Sequence, residues 1–474
     1  MSQNISIRNP RTGEADFSLA AMDVQLVTST GQALRQGQRA WHNLGFQGRA
    51  ERLRDLANAL LAHIDPISAA LEIDTGRRRI ARMEVEAVAS SLVAWANQAP
   101  ANAEGDWIQG ISNPAIKHKS QLIPYGLVGV ISPWNFPLIL SMIDAAPALL
   151  AGCSVMIKPS EVTSRFVKPL EDAIETAGLS SVIRLVTGSG ETGAALVDTV
   201  DAVCFTGSVP TGRKVAIQAA GRLIPAFLEL GGKDPLIVLA SSDIEAATDA
   251  ALRGSAQSTG QACQSIERIY VDAAIYDSFL ERLVEKAETT RLNAYDISKG
   301  ELGPIIFDKQ ADILARHIED AKQNGAIVLT GGDIERHMGG VWLRPTVLCE
   351  VTHDMQVMTE ETFGPILPVM KFQTVEEAIK LANDTDYGLS GAVFAGTLEE
   401  AESVAQHMDA GAISLNDAAL TALFHEAEKN AFKSSGLGGS RMGVAGLNRF
   451  LRRKAIIANT IAPLPLSALA EDAS

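Results

Sequence analysis

Cys263 is the residue whose surroundings best suit nucleophilic chemistry. It stands in the segment Ser258-Thr-Gly-Gln-Ala-Cys-Gln-Ser265, a small, polar, glycine-containing stretch that can leave a thiol accessible. A thiolate attacks carbonyl carbons readily once a neighbouring base, or a lowered pKa, has removed its proton. The three other cysteines stand in apolar, strand-like runs that predict buried side chains: Cys153, Cys204 and Cys349. On local composition Cys263 is either a reactive nucleophile or a structural loop residue.

Two glycine-containing turns have the form of phosphate-binding loops. Gly188-Ser-Gly-Glu-Thr-Gly193 has the literal spacing of a dinucleotide loop, but its glutamate would repel a pyrophosphate, so a structural turn is the preferred interpretation. Phe205-Thr-Gly-Ser-Val-Pro-Thr-Gly212 carries hydroxyls and no acid, and Arg213 and Lys214 follow it. Free N–H groups at a helix N-terminus bind anions, so we prefer this turn as a phosphate site, with an ordinary helix cap as the alternative.

Glu229 places an acid in the nearly apolar segment Leu228-Glu-Leu-Gly-Gly-Lys233. A buried carboxylate without a partner is costly, and its pKa rises. Glu229 is therefore either a salt-bridged structural group or a general base held near neutrality.

These residues need a scaffold, and the chain pattern is typical of parallel sheets. Short β-branched runs alternate with longer amphipathic ones, which indicates βαβ units in an α/β protein with two lobes and a crevice between them. Strands are predicted over 120–132, 154–158, 182–186, 202–205 and from 236, and helices over 31–62 (a pair), 66–98 and from about 211. A strand over 454–461 has no partner nearby in sequence, so another subunit is one natural partner. Residues 462–474 predict a tail.

Composition excludes several classes of function. The formal charge of −15 argues against binding to nucleic acid or acidic lipid, which needs clustered Lys and Arg. No apolar run reaches the roughly 18–20 residues that span a bilayer, and the first ten residues lack the apolar region of a signal peptide. Four widely spaced cysteines without a CxxC pair argue against disulfides and a metal site. We expect a cytoplasmic protein.

Six motifs together resemble the NAD(P)-dependent aldehyde dehydrogenase superfamily, and the match extends from Arg8 to the late strand. They are Pro133-Trp-Asn-Phe-Pro137, Ile157-Lys-Pro-Ser-Glu161, Phe205-Thr-Gly-Ser208, Leu228-Glu-Leu-Gly-Gly-Lys233, Gly260-Gln-Ala-Cys263 and Glu360-Glu-Thr-Phe-Gly-Pro365. The resemblance implies a Rossmann-like cofactor domain, an α/β catalytic domain, a small β oligomerisation flap and a homodimer or homotetramer. The implied boundaries are 1–105 and 125–231, 232–440, 106–124 with 449–463, and a tail over 464–474.

The resemblance also implies roles for three catalytic residues. Cys263 matches the nucleophile that attacks the aldehyde carbon. Asn135 matches the amide that stabilises the oxyanion together with the backbone N–H of the nucleophile. Glu229 matches the base that activates water to hydrolyse the thioester and can help to deprotonate the thiol.

A nicotinamide dinucleotide is the implied cofactor. The matched residues are Lys158 and Glu161 at the adenine ribose, Gly207 and Ser208 at the pyrophosphate with Trp134 lining the same region, and Glu361 at the nicotinamide ribose with Phe363 nearby. The carboxylate of Glu161 would accept hydrogen bonds from a 2′-hydroxyl but repel a 2′-phosphate, so NAD is favoured over NADP.

Two departures from the family pattern stand out. Many members have a basic residue eleven positions after Pro133, where this chain has Asp144, so a proton relay through a lysine is absent. The usual proline–phenylalanine–glycine–glycine stretch is replaced by the segment 430–443, in which Met442 stands where an acid is common. The shape of the substrate entrance is therefore open.

The substrate is predicted from the segment after Pro133. Phe136, Leu140 and Ile143 are expected to line the tunnel, with Gln264 beside the nucleophile. No arginine lies between residues 133 and 150, and Asp144 adds an acid, so an uncharged aromatic or medium-chain aliphatic aldehyde is predicted. Alternatively, these side chains are core packing, and a basic residue of the 417–435 segment serves a semialdehyde; the candidates are His425, Lys429 and Lys433.

Two other functions are alternatives to a hydrolytic aldehyde dehydrogenase. A CoA-acylating aldehyde dehydrogenase typically lacks the general base, so Glu229 argues against it. An inactive cofactor-binding scaffold is disfavoured because all three catalytic positions are intact.

Overall fold

Two mainly parallel sheets and a small antiparallel sheet organise the chain in the computed structural model, which describes residues 4–101 and 103–471. Up to residue 231 the strands are β1 (Asn4–Arg8), β2 (Ala15–Ala20), β3 (Ile108–Gln109), β4 (Ile116–Pro124), β5 (Leu127–Ile131), β6 (Ser154–Lys158), β7 (Ile183–Leu185), β8 (Ala202–Thr206) and β9 (Ala226–Glu229). The helices are α1 (Val24–Asn43), α2 (Gly45–Ala62), α3 (Ile64–Thr75), α4 (Arg78–Asn97), α5 (Pro137–Met142), α6 (Ala145–Ala151), α7 (Val167–Thr176), α8 (Gly190–Thr199) and α9 (Val209–Gly221).

The second half of the chain continues the alternation. Its strands are β10 (Asp234–Val238), β11 (Ile266–Asp272), β12 (Ile327–Thr330), β13 (Ile334–His337), β14 (Gly340–Leu343), β15 (Thr346–Cys349), β16 (Ile366–Phe372), β17 (Tyr387–Gly388), β18 (Gly391–Phe394), β19 (Ile413–Leu415), β20 (Phe432–Lys433), β21 (Gly436–Leu437) and β22 (Leu451–Asn459). The helices are α10 (Ile244–Ala256), α11 (Tyr276–Thr289), α12 (Asp308–Gln323), α13 (Gln356–Thr359), α14 (Val375–Asn383), α15 (Leu398–Ala405) and α16 (Gly443–Asn448), with 3-10 turns at Gln257–Gly260, Leu420–Ala422 and Leu466–Leu469.

The first sheet has the order β21-β9-β8-β5-β6-β7. Its five parallel strands, numbered along the chain, therefore run 5-4-1-2-3, which is the Rossmann order. Alternate residues face opposite sides: Val128 and Val130 pack with one apolar cluster, and Leu127 and Met156 with the other. Ligands bind such sheets where the strand order reverses at the carboxyl ends, here between β5 and β8.

The second sheet has the order β12-β15-β16-β11-β10-β18-β19. Strands β15, β16, β11, β10, β18 and β19 are parallel, while β12 pairs antiparallel with β15 at the edge. The five strands β16-β11-β10-β18-β19, numbered along the chain, run 3-2-1-4-5, which is the doubly wound order of the first sheet. The predicted α/β class with two lobes, one of them Rossmann-like, is thus confirmed. The exact domain boundaries stay predictions.

The late strand is not isolated, which corrects the expectation from its position in the sequence. β22 pairs antiparallel with β4 over nine residue pairs, from Leu451 with Pro124 to Asn459 with Ile116, and β3 completes the small sheet. The predicted strand over 120–132 is in fact two strands in two sheets. The break falls at Tyr125 and Gly126, between the partly exposed β4 and the buried β5.

The helix predicted over 66–98 is also interrupted. Gly76 ends α3 in the left-handed conformation, with φ +66°, and its N–H donates to the carbonyl of Glu72. A Cβ at this position would lie 2.4 Å from the ring of Pro304 as well. Glycine at position 76 thus ends α3 and allows the backbone there to pack closely against Pro304.

Among the described residues, no single helix is long and apolar enough to span a membrane; α2 and α3, bent by 67°, pass that test only as a pair. The predicted tail begins as an exposed segment with a 3-10 turn at Leu466–Leu469, and its last residues, 472–474, lie outside the described part.

Candidate active site

Cys263 follows a strained turn that closes α10. Ser258 and Thr259 hold left-handed backbone conformations, with φ of +57° and +61°, which residues other than glycine rarely adopt. Gly260 continues at φ +68°, and a Cβ there would lie 2.3 Å from the carbonyl carbon of Gly364. The backbone of the cysteine loop therefore packs directly against the loop that carries Glu361 and Phe363. Such strain is characteristic of functional sites.

Cys263 is the one cysteine that is not fully buried, as predicted for an accessible thiol. Burial nonetheless raises the pKa of its thiol to about 12; the charge of Lys429 acts against this, and the carboxyls of Glu361, Asp234 and Glu229 add to it. In the resting protein the thiol is thus protonated at neutral pH. A nearby base is needed to generate the thiolate.

Asn135 lies in the turn between β5 and α5, close to the cysteine loop. Its side-chain amide donates to the carbonyl of Gln261 at 3.0 Å, two residues before Cys263. The guanidinium of Arg77, buried and stacked 5.0 Å from the ring of Phe136, donates to the Asn135 carbonyl. The second amide hydrogen of Asn135 has no partner among the described residues, so it can serve as an oxyanion donor.

Arg77 and Gln261 were not predicted from the sequence. Gln261 is fully buried: its side chain donates to the carbonyls of Ser258 and Pro304 and accepts from the N–H of Ile306. It fixes the loop before the nucleophile. Only its place inside the Gly260–Cys263 motif hinted at a role.

Glu229 ends β9, and its side chain is 12 % exposed. Its backbone carbonyl accepts from the N–H of Gly207 at 3.1 Å, so it adjoins the predicted pyrophosphate turn. Three residues on, a Cβ at Gly232 would lie 2.5 Å from the carbonyl oxygen of Cys263. The short segment after Glu229 thus runs past the nucleophile.

Asp144 does not act as the free acid that the sequence suggested. It is fully buried and accepts hydrogen bonds from Arg441, at 2.8 Å, and from Arg449. Burial opposes ionisation, yet these two cations hold the pKa of Asp144 below its usual range. The predicted repulsion of an acidic substrate by Asp144 is therefore wrong, because its charge is neutralised. Arg441, which lies 297 residues after Asp144 in the chain, was not predicted as a site residue.

The residues matched to the adenine ribose meet at the end of β6. The ammonium of Lys158 donates to Glu161 at 2.9 Å; Lys158 is buried, while the Glu161 side chain is 44 % exposed. An ammonium donor and an accessible carboxylate acceptor suit ribose hydroxyls.

Gly207 and Ser208 precede α9, whose first turn contains no acid and receives no side-chain cap. Pro210 has no N–H, so the donors of this turn that are available to an anion are the N–H groups of Val209 and Thr211. At the other glycine turn, Ser189 accepts from the N–H of Glu191 and so caps α8, in keeping with a structural role. The donor set of the α9 turn fits a pyrophosphate.

Glu361 and Phe363 lie on the loop before β16. A Glu361 oxygen accepts from the N–H of Gly232 at 3.1 Å, and burial, reinforced by Glu267, raises the pKa of this carboxyl to about 8. Phe363, at φ +52°, donates its N–H to Glu267 and packs edge-on against Trp134, with ring centroids 5.4 Å apart. The described ring contacts of Trp134 are therefore on the Glu361 side rather than at the pyrophosphate turn.

The predicted tunnel residues share one face of the segment 136–143. Phe136, Leu140 and Ile143 are only half-buried, whereas Leu138 and Met142 are fully buried in the core. The spacing of the half-buried residues, four and then three apart, puts them on a single helix face. Accessible apolar side chains on one face can line a cavity.

The 417–435 segment covers the other side of the cysteine. The hydroxyl of Thr421 donates to the side chain of Gln264, next to the nucleophile. The ammonium of Lys433 donates to the carbonyls of Asn383 and Thr385 and not to the cysteine loop. Burial lowers the pKa of His425, and the charges of Arg441 and Lys429 lower it further. The charge of Lys429 also lowers the pKa of Cys263, so one of the predicted cations acts on the thiol electrostatically.

Comparison with known proteins agrees with these features. The sequence profile of the aldehyde dehydrogenase family matches residues 1–456. The chain is 36 % identical over 436 residues to a putative NADP(+) succinate-semialdehyde dehydrogenase of Mycolicibacterium smegmatis, covering 90 % of this chain and 83 % of that protein. It is 38 % identical over 395 residues to 4,4'-diapolycopene aldehyde oxidase of Methylomonas sp, covering 81 % and 73 %.

Two solved structures are similar to this chain over almost its whole length. The putative aldehyde dehydrogenase PutA from Anabaena variabilis superposes with a TM-score of 0.95 at 51 % identity, over 98 % of this chain and 99 % of that one. Betaine aldehyde dehydrogenase from Staphylococcus aureus, solved with NAD+, gives a TM-score of 0.92 at 30 % identity, over 99 % and 94 %. The resemblance seen in six motifs is confirmed: the chain belongs to the aldehyde dehydrogenase family.

Proposed function

We propose that this enzyme oxidises an aldehyde to its carboxylic acid with NAD, through a thiohemiacetal and a thioester on Cys263. The observation that carries the proposal is the convergence of three groups on one loop. Asn135 bonds the backbone two residues before Cys263, the segment after Glu229 packs on the Cys263 carbonyl, and Cys263 alone among the cysteines is accessible.

Each residue has a defined task in this reaction. With its proton removed by Glu229, the Cys263 sulfur adds to the aldehyde carbon, and the amide of Asn135 donates to the oxygen that gains the charge. When bound, the dinucleotide supplies the acceptor for the hydride that leaves this carbon. After Glu229 has released the thiol proton to solvent, it takes a proton from water, the hydroxide adds to the thioester carbon, and the Cys263 sulfur leaves as the acid is released.

NAD is the proposed cofactor. Lys158 and Glu161 would hold the adenine ribose, the free N–H groups after Gly207 and Ser208 the pyrophosphate, and Glu361 the nicotinamide ribose beside Trp134 and Phe363. The accessible Glu161 carboxylate supports NAD over NADP, because a 2′-phosphate would approach a like charge. One relative is named for NADP(+) and one structure contains NAD+, so kcat/KM with each cofactor is the measurement to make.

An uncharged apolar aldehyde, aromatic or medium-chain aliphatic, is the proposed substrate. Its support is the accessible apolar face formed by Phe136, Leu140 and Ile143. A semialdehyde is the second candidate, because the half-buried Lys429 brings a cation to the thiol and forms no ion pair within the described residues. The name of one relative refers to succinate semialdehyde, which belongs to the second candidate class.

A panel of kcat/KM values with benzaldehyde, octanal and succinate semialdehyde separates the two candidates, since the ratio reports differential transition-state binding. A preference of tenfold or more for succinate semialdehyde, about 1.4 kcal/mol, would reject the apolar substrate. In that case Lys429→Met should abolish the preference and Lys433→Met, the matched control, should keep it. Stoichiometric acyl-CoA formed from added CoA would reject hydrolysis.

We also propose a homodimer or homotetramer in the cytoplasm. The outer edge of β22 has no strand partner among the described residues, and the apolar side chains of Ile457 and Ile108 are exposed on the same small sheet. All four cysteines are free, as suits a reducing compartment. Sedimentation that finds only a 50.3 kDa species at micromolar concentration would contradict the assembly.

A further inference from the structure

Arg441 is buried beside Glu229 with one donor unused. Its Nη2 donates to Asp144 at 2.8 Å and to the hydroxyl of Thr206 at 2.7 Å. Its Nε is buried, has no hydrogen-bond partner among the described residues, and lies 3.9 Å from a carboxylate oxygen of Glu229. That distance is too long for a hydrogen bond, but short enough for a strong charge interaction in a site shielded from water.

Four buried charges alternate in sign at this point: Arg449, Asp144, Arg441 and Glu229. Burial opposes the charge of Arg441, but Asp144 and then Glu229 raise its pKa, so it stays a cation at every working pH. Asp144 engages one side of the guanidinium and leaves the Nε side to Glu229. A buried N–H without an acceptor is destabilising, and a small rotation of Glu229 would give the Nε of Arg441 a hydrogen-bond acceptor.

We propose that Arg441 is a positioning residue for Glu229, which keeps this carboxylate ionised and holds it in a resting place one side-chain rotation from the water it activates. The proposal rests on the function proposed above, in which Glu229 is the general base. A base must be anionic to take a proton, and a fixed cation nearby favours that form. A gap of 3.9 Å, rather than a full hydrogen bond, leaves the oxygen free to leave Arg441.

The proton balance is consistent with this role. With Glu229 ionised, the four groups sum to zero charge. When Glu229 takes a proton from water, the cluster becomes cationic, because Arg441 and Arg449 share the single anion Asp144. The excess charge favours release of that proton to solvent and return of Glu229 to Arg441.

Arg449 provides the matched control. Like Arg441, it donates to Asp144, but to the other carboxylate oxygen. Its guanidinium stacks on the rings of Phe227 and Phe450, 5.0 and 4.9 Å from their centroids. No ion pair joins it to Glu229 in the described part of the chain. Replacing it disturbs the same buried anion without removing the cation that faces the base.

The test is kcat against pH from 5 to 9, for the full-length wild type and the variants Arg441→Gln, Arg441→Lys and Arg449→Lys. For Arg441→Gln we expect the acid-side midpoint of kcat to rise by about one pH unit. An opposite charge within about 4–6 Å lowers the pKa of a carboxyl by that much or more, and this variant removes that charge. KM should change less than about twofold, and a burst of NADH should grow as thioester hydrolysis slows. Arg441→Lys should restore the midpoint, and Arg449→Lys should leave it unchanged.

An unshifted midpoint in folded Arg441→Gln would overturn the proposal. If that variant does not fold, Asp144→Asn decides: it frees Arg441 for Glu229, so the midpoint should fall, and an unchanged or higher midpoint would also overturn the proposal. A wild type that forms no NADH from any aldehyde would instead contradict the proposed function.

Discussion

Glu229 and Lys233 stand four residues apart in one motif, yet each enters a different kind of charged cluster. Lys233 is fully buried and donates to Glu267 and to the hydroxyl of Thr362, both at 2.8 Å. Glu267 in turn accepts from the N–H groups of Thr362 and Phe363, so each partner is satisfied. Glu229 instead faces Arg441 across 3.9 Å, with the Nε of Arg441 unpaired.

The two clusters differ in role: the Lys233 cluster supports the structure, and the Arg441 cluster serves the chemistry of Glu229. A satisfied buried network rigidifies its surroundings, and the Lys233 cluster holds the loop that carries Glu361 and Phe363 in its left-handed turn. A network with an unpaired donor can exchange partners. A general base needs this freedom because it must move between its resting place and the water that it activates. Cys263 lies between the two clusters, with its carbonyl against Gly232.

The largest expected effect removes the nucleophile and leaves both clusters intact. Cys263→Ala should lower turnover by at least about 10⁴-fold, more than about 5 kcal/mol, because no other accessible thiol can form the thioester. NADH formation is the measurement, and Cys349→Ala should keep turnover within about twofold of the wild type. Substantial residual activity in Cys263→Ala would remove this residue from the mechanism.

Breaking the satisfied cluster should act on stability. Lys233→Met leaves the Glu267 carboxylate buried without its cation, which typically costs about 3–5 kcal/mol of unfolding free energy. Urea denaturation measures the loss. Lys168→Met, which breaks an exposed ion pair with Asp172, should cost less than about 1 kcal/mol. Equal losses in the two variants would refute a structural role for the Lys233 pair.

Breaking the open cluster should act on catalysis instead. Glu229→Gln should slow steady-state turnover by about 10²-fold, some 2.7 kcal/mol, because water loses its base. Hydrolysis should slow more than acylation, so a burst of about one NADH per active site should appear or grow. The exposed Glu360→Gln serves as control. An unchanged steady-state rate would exclude Glu229 as the base.

The smallest effect concerns the pH dependence of stability without cofactor. The pKa of Glu361 rises from 4.5 to about 8, so the folded protein keeps a proton there that the unfolded chain releases. The contribution of Glu361 to stability should therefore be greatest below about pH 4.5 and be lost towards pH 8. Glu361→Gln should flatten this slope by on the order of 1–2 kcal/mol, measured as the change in Tm between pH 5 and pH 8. An identical slope in both proteins would contradict the shift.

Much of the fold was readable from local patterns. The strand predicted over 154–158 has the same bounds as β6, because Pro159 has no N–H for the sheet and ends the short apolar run. The break between β4 and β5 was missed, since both halves are extended and only their partners in different sheets distinguish them. The pairing of β22 with β4 joins residues more than 300 apart, which no local pattern reveals.

The sequence alone determined the α/β class, the family and the accessible cysteine, because these depend on residue type, spacing and motif order. The tertiary structure decided the charge environment, because burial and pairing belong to neighbours distant in sequence. Asp144 looked like a free acid from its own segment, whereas Arg441 and Arg449, about 300 residues away, neutralise it. The same folding brings Arg441 to Glu229 and leaves one donor open beside the base.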